Sequence, residues 1–253
     1  MLSYHNDENL KKLIVYEMRK HQEQDQLVKD TYCLEEGGKF KGCAVGCAID
    51  SINIALGKRY LNSDHKVFEE ELGIPEWLAH IQDSLFEALP IGDNSQFAVD
   101  FLEAIPVGVN LEPLKWKFCA FLMRKNIERV LTFSKISGEI RDKILITICV
   151  ALCLHEKAIE TGAFDYNEAK CSIESIALSD LPGLPSLTFP TSSSSKSAMN
   201  SFSSTIWSAR SSCSSVAYAA ASSAVWSARS AYDSEASYKR YSVELIRLLK
   251  EAK

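Results

Sequence analysis

Apolar positions along most of the chain recur every three to four residues, which is the spacing of one buried helix face. After Pro75, for example, Leu78, Ile81, Leu85 and Leu89 lie on one stripe of a predicted helix, and a proline suits its first turn. No convincing alternating pattern of the kind that marks a strand pair is found. The pattern therefore predicts an all-α fold.

Glycine and proline punctuate the predicted helices and set their ends. The segment beginning at Asp7 is predicted to be one polar surface helix that reaches about Tyr32. The remaining predicted helices cover residues 48–56, 64–72, 75–89, 95–104, 112–125, 127–133, 137–161 and 166–178.

The composition changes after residue 180 and divides the chain into three predicted parts. Residues 1–180 are predicted to form a helical globular domain, a multi-helix bundle, and residues 181–196 a linker rich in proline and serine. Residues 197–253 contain no glycine or proline and are dominated by serine and alanine, which predicts a long helix or a helical hairpin. Its amphipathic end, residues 238–253, is expected to dock, either on the first domain or on another protein.

The serine- and alanine-rich segment carries an internal repeat, because Trp-Ser-Ala-Arg-Ser occurs at 207–211 and again at 226–230. Small side chains recur every four residues along it and would let another helix approach closely. Trp207, Arg210, Trp226 and Arg229 are therefore candidate interaction residues, and the sequence predicts self-association or a protein partner through residues 197–253.

Charge and targeting features limit the classes of partner. The formal net charge of -5 does not favour nucleic acid binding. The polar first 12 residues contain no secretory signal, and the longest apolar run, residues 144–154, is about half the length of a membrane span. We expect a cytoplasmic protein without a membrane span, in which the eight cysteines are reduced thiols.

Cys43 is the first candidate for chemistry, because it lies near the start of a predicted helix, where backbone amides can lower a thiol pKa. His65 or His80 could serve as its base, with Asp83 or Glu87 as the orienting group. Those residues would form a cysteine-dependent hydrolase or transferase. The alternative is that Cys43 and Cys47 only pack in the core.

A metal site is a further alternative. Cys43, Cys47, His65 and His80 supply four ligands that zinc accepts, although their spacing is not that of paired zinc knuckles. No phosphate-binding loop, dinucleotide fingerprint, His-Glu-x-x-His motif or nucleophile elbow is present, so no other cofactor is predicted.

The chain also resembles a family of bacterial and phage proteins without an established activity. The shared elements are Gly-Cys-x-x-Gly-Cys at 42–47, Gly-Ile-Pro at 73–75, Phe-Glu-x-Leu-Pro at 86–90 and Ala-Ile-Pro-Val-Gly at 104–108. Members end in alanine-rich repeats with tryptophan and arginine, which residues 207–232 resemble. The resemblance supports the division into parts and implies no catalytic residues.

Taken together, these patterns favour a helical interaction or self-assembling protein. A cysteine-dependent enzyme that uses Cys43 and a metal- or small-ligand-binding protein are the two alternatives.

Overall fold

The computed structural model describes residues 1–132, 138–165 and 234–253. The regular structure in these ranges is helical apart from one short hairpin, so the all-α prediction is confirmed. The helices are α1 (Glu8–Glu23), α2 (Ala44–Leu56), α3 (Lys66–Leu72), α4 (Glu76–Ala88), α5 (Asp93–Ala104), α6 (Leu114–Leu131), α7 (Gly138–Thr161) and α8 (Ser234–Lys250). The predicted helix 166–178, the linker 181–196 and the four repeat residues Trp207, Arg210, Trp226 and Arg229 lie outside the described residues.

Several helix ends follow local sequence signals. Asp7 caps α1, because its carboxylate accepts hydrogen bonds from the backbone N–H groups of Asn9 and Leu10. Gly57 and Gly73 end α2 and α3 with φ of 64° and 61°, a left-handed conformation that glycine adopts without steric cost. Both glycine stops were predicted correctly.

Two predicted helix extents are wrong. The first helix ends at Glu23 rather than near Tyr32, and Asp25 then adopts a left-handed φ of 53°, which no α-helix tolerates. Residues 24–33, which we call the strap, cross the surface without regular structure. The two helices predicted over 112–125 and 127–133 form the single helix α6.

A hairpin follows the strap and was not predicted. Strand β1 (Leu34–Glu36) pairs antiparallel with β2 (Lys39–Lys41), and Gly37 and Gly38 form the turn with φ of 60° and 75°. Each strand has only three residues and none of their side chains is buried, so neither could show an alternating burial pattern in the sequence.

The contacts divide the chain into two compact units at positions other than the predicted boundary near residue 180. Unit 1 contains Met1–Leu114 and Glu235–Lys253. In it α1 packs against α2 and α5, α4 packs against the same two helices, and α3 lies beside α4. Helix α8 belongs to this unit and buries one face, so the predicted docking of the C-terminal end is confirmed; the buried residues include Tyr238, Tyr241, Leu245, Leu248 and Leu249.

Unit 2 spans Lys115–Ser234, of which the structure describes 115–132, 138–165 and Ser234. Its described part contains most of α6 together with α7. Within it the rings of Trp116 and Phe164 stack at a centroid distance of 4.8 Å, and His155 lies beside both with no exposed surface. None of the helices in the described residues is long and apolar enough to cross a membrane.

Candidate metal centre

Cys43 occupies the N-cap position of α2, and its sulfur accepts a hydrogen bond from the Gly46 N–H at 3.5 Å. Its own N–H donates to the carbonyl of Thr31 at 2.6 Å, which fastens the strap to the start of the helix. A Cβ at Gly42 or Gly46 would collide with the Tyr32 carbonyl oxygen. The two glycines of the Gly-Cys-x-x-Gly-Cys element therefore allow the strap to lie directly against α2.

Two carboxylates from α4 lie beside this thiol. One ligand atom each from Cys43, Asp83 and Glu87 falls within 4.8 Å of the other two. Asp83 and Glu87 are four residues apart and so share one face of α4, and α4 packs against α2. Among the described residues this is the one group of three or more cysteine, histidine and acidic side chains that could hold a metal ion.

The strap orients both carboxylates. The Asp30 N–H lies 3.2 Å and 3.1 Å from the two carboxylate oxygens of Glu87 and donates to them. The Tyr32 hydroxyl donates to Oδ2 of Asp83 at 2.9 Å. Oδ1 of Asp83 is enclosed and accepts no hydrogen bond from the described residues. The strap thus holds one oxygen of Asp83, and the protonated thiol of Cys43 also forms a hydrogen bond with this carboxylate.

His65 approaches Asp83 from the loop before α3. Its side chain is 7% exposed, and its Nε2 atom lies 3.4 Å from Oδ2 of Asp83 without forming a hydrogen bond. Its Nδ1 atom lies 3.1 Å from the carbonyl oxygen of Ser63, which can only accept a hydrogen bond. Nδ1 is therefore the donor in this contact, and Nε2 is the ring nitrogen that faces the Asp83 carboxylate.

Two of the predicted site residues point elsewhere. The sulfur of Cys47 is fully buried and donates towards the carbonyls of Gly42, at 3.4 Å, and Gln26, at 3.8 Å. The ring of His80 stacks on His65 at a centroid distance of 3.8 Å, and its Nε2 lies 3.6 Å from a carboxylate oxygen of Glu76. The structure thus places Asp83 beside Cys43 and beside His65, and His80 stacks on His65.

The surroundings of Cys43 oppose a free thiolate. Burial raises the pKa of this thiol well above its ordinary value, and the adjacent Asp83 carboxylate raises it further. The hydrogen bond from the Gly46 N–H lowers it by a smaller amount. Burial likewise raises the pKa of Glu87, and burial together with the neighbouring His65 lowers the pKa of His80. Without a cation at the group, the thiol therefore stays protonated at neutral pH.

Sequence reasoning named Glu87 only as an orienting group, and it missed the strap. The spacing of Asp83 and Glu87 was the available signal, because carboxylates four apart on a helix share a face. The roles of the Asp30 amide and the Tyr32 hydroxyl had no signal, because the strap was predicted to be helical.

Comparison of the chain with protein-family models, with curated proteins and with solved structures gives no match. The resemblance to the phage and bacterial family therefore stays a prediction, as do the interaction roles of Trp207, Arg210, Trp226 and Arg229.

Proposed function

We propose that this protein binds a zinc ion at Cys43, Asp83 and Glu87, with His65 as the fourth ligand. The observation that carries the proposal is the convergence of a thiol and two carboxylates within 4.8 Å of one another, beside a buried imidazole nitrogen that forms no hydrogen bond with the part of the chain that the structure describes. Thiolate, imidazole and carboxylate are the ligands that zinc takes in proteins.

The spacing of the imidazole supports the same ion. Nitrogen and oxygen ligands about 2.0–2.1 Å from a tetrahedral zinc ion lie about 3.3 Å apart. The Nε2 atom of His65 lies 3.4 Å from Oδ2 of Asp83, which is too long for a good hydrogen bond and close to that ligand spacing. The contact from Nδ1 of His65 to the Ser63 carbonyl is the second contact by which proteins orient a metal-binding histidine.

The electrostatics favour a cation over an unaided nucleophile. A thiol beside two carboxylates resists ionisation, as the raised pKa of Cys43 indicates. A divalent ion at the same point reverses that preference, because a coordinating thiol is deprotonated by the metal. The cysteine-dependent enzyme stays a prediction, but it would require Cys43 to ionise against Asp83.

Zinc titration of the full chain, purified under reducing conditions and stripped with a chelator, tests the proposal. We expect one zinc per chain, and with cobalt a thiolate-to-metal charge-transfer band. Cys43→Ala should lower zinc affinity by more than the roughly 10–100-fold typical of losing a contact to a ligand. Cys47→Ala is the matched control, because its buried sulfur lies one helix turn away and faces carbonyls.

Three results would count against a zinc centre at this site. Wild-type protein that binds no stoichiometric zinc or cobalt would remove it. Equal losses in the Cys43 and Cys47 variants would indicate a general effect on α2. Unchanged affinity in Cys43→Ala would place the ion elsewhere.

A further inference from the structure

The strap is fixed to the body of the protein largely through the proposed metal ligands. The Thr31 carbonyl accepts from the Cys43 N–H, the Asp30 N–H donates to Glu87, and the Tyr32 hydroxyl donates to Asp83. Two of these contacts are made to the ligand carboxylates, and that of Thr31 is made to the backbone of Cys43. A fourth contact joins the Lys29 side chain to the carbonyl of Leu89, just beyond the end of α4.

Little apolar burial holds this region in place. Within residues 24–41, which comprise the strap and the hairpin, Gln26 is the one buried side chain. Asp25 and Asp30 adopt left-handed φ values of 53° and 63°, which cost free energy in residues other than glycine. A segment with few buried apolar contacts and such backbone conformations opens more easily than the helices around it.

The base of the strap is anchored independently of the ligands. The Gln26 side chain meets Nδ1 of His21 at 2.5 Å, and the Gly42 N–H donates to the Gln26 carbonyl at 2.9 Å. The Val28 N–H returns a hydrogen bond to the Gly42 carbonyl at 2.9 Å. The part of the strap whose order depends on the ligands is therefore residues 29–33, together with the hairpin that follows.

We propose that metal occupancy controls the order of residues 29–41: the strap and hairpin become ordered when the ion binds and less ordered when it leaves. This inference rests on the proposed zinc site. Without the ion, Oδ1 of Asp83 and Nε2 of His65 have no hydrogen-bond partner among the described residues, so fewer contacts fix the carboxylate to which the Tyr32 hydroxyl donates. With the ion, both carboxylates are fixed, and the strap donors become the contacts that orient metal ligands.

Hydrogen exchange of the full chain, measured with and without zinc after chelator treatment, tests the inference. We expect zinc to slow exchange in residues 29–41 by about fivefold or more, and to leave the loop at 106–113 unchanged. Tyr32→Phe should keep one zinc per chain, because it removes no ligand, but should lose most of this protection.

Tyr60→Phe is the matched control, since it also removes a phenol hydroxyl that donates to a carboxylate, that of Glu71 outside the site. It should retain the full protection of residues 29–41. Zinc that binds with unchanged exchange in these residues would overturn the inference and leave the zinc site standing. Full protection in Tyr32→Phe would also overturn it, whereas failure of the wild-type protein to bind zinc would remove the proposed function itself.

Discussion

Two buried histidine–aspartate pairs flank α2, and only one of them belongs to a candidate metal centre. His65 and His21 are 7% and 5% exposed, and each has its Nε2 atom 3.4 Å from a carboxylate oxygen, of Asp83 and Asp50 respectively. Each also directs Nδ1 to an oxygen, the Ser63 carbonyl for His65 and the Gln26 side-chain oxygen for His21. The local geometry of the two pairs is nearly the same.

The difference lies in the neighbours. The ligand atoms of Cys43 and Glu87 lie within 4.8 Å of a carboxylate oxygen of Asp83. Around His21 the nearest second carboxylate, Glu17, forms an ion pair with Lys20 at 2.7 Å, and the nearby thiol of Cys47 faces carbonyls. A buried histidine and aspartate at ligand spacing are therefore not sufficient for a metal site. A thiol and a second carboxylate close to the aspartate decide it.

The largest expected difference between the two pairs is in zinc affinity, and it is measured by substituting each histidine in a separate variant. His65→Gln should lower zinc affinity about 100-fold, because it removes a ligand, whereas His21→Gln should change it by less than about threefold. Zinc titration by calorimetry measures both, with circular dichroism to verify that each variant is folded. Similar losses of zinc affinity in the two variants would contradict the assignment of the metal site to the His65 pair alone.

A third buried histidine, His155, is paired with no carboxylate among the described residues. Burial alone lowers the pKa of His155 to about 4, and neither ring nitrogen has a hydrogen bond to a described residue. Because the folded pKa lies below the unfolded value of 6.5, the unfolded chain binds more protons at intermediate pH, and stability falls as pH decreases below 6.5. From pH 7.5 to 5 the expected loss is about 2 kcal/mol from this residue.

Chemical denaturation at the two pH values measures that loss in wild type and in His155→Leu. The variant should lose about 2 kcal/mol less between pH 7.5 and 5 than wild type does. His5→Gln, which alters an exposed histidine, should behave as wild type. An unchanged pH dependence in His155→Leu would mean that a proton acceptor reaches His155.

The sequence predicted the helices of this fold well and its connecting segments poorly. The stripe after Pro75 and the stops at Gly57 and Gly73 succeeded because periodicity and capping are local. The prediction for the strap was wrong because Leu27 and Val28 continue the helical spacing of apolar residues. In the structure, the backbone here forms hydrogen bonds with Gly42 instead of helical ones. The apolar sequence around Cys149 and Cys153 favours a core position for both, yet both residues are exposed on α7.

The candidate site was predicted in part for the same reason. Cys43, His65 and Asp83 were selected for their residue types, and the fold places Asp83 beside each of the other two. Cys47 and His80 were selected on the same grounds, but they face other partners. Cys47 lies one turn further along α2 and faces the Gly42 carbonyl. His80 stacks on His65 and faces Glu76. Which of several suitable residues converge is a property of helix packing, which the spacing along one chain does not contain.

The smallest expected effect is on the pH dependence of zinc affinity, and it distinguishes the thiol of Cys43 from that of Cys47. Because burial and Asp83 raise the pKa of Cys43, its thiol is protonated near neutral pH and must lose that proton to bind zinc. Zinc affinity should therefore rise about tenfold from pH 7 to pH 8, one proton being released per ion. In Cys43→Asp the ligand is already ionised, so its zinc affinity should be nearly constant over this range.

The control for this prediction is Cys47→Ala, which should keep the tenfold dependence. Burial also raises the pKa of the Cys47 thiol, but that thiol does not bind the ion. Calorimetry in buffers of different ionisation enthalpy counts the proton, and a wild-type affinity that does not change with pH would exclude the Cys43 thiol as a ligand.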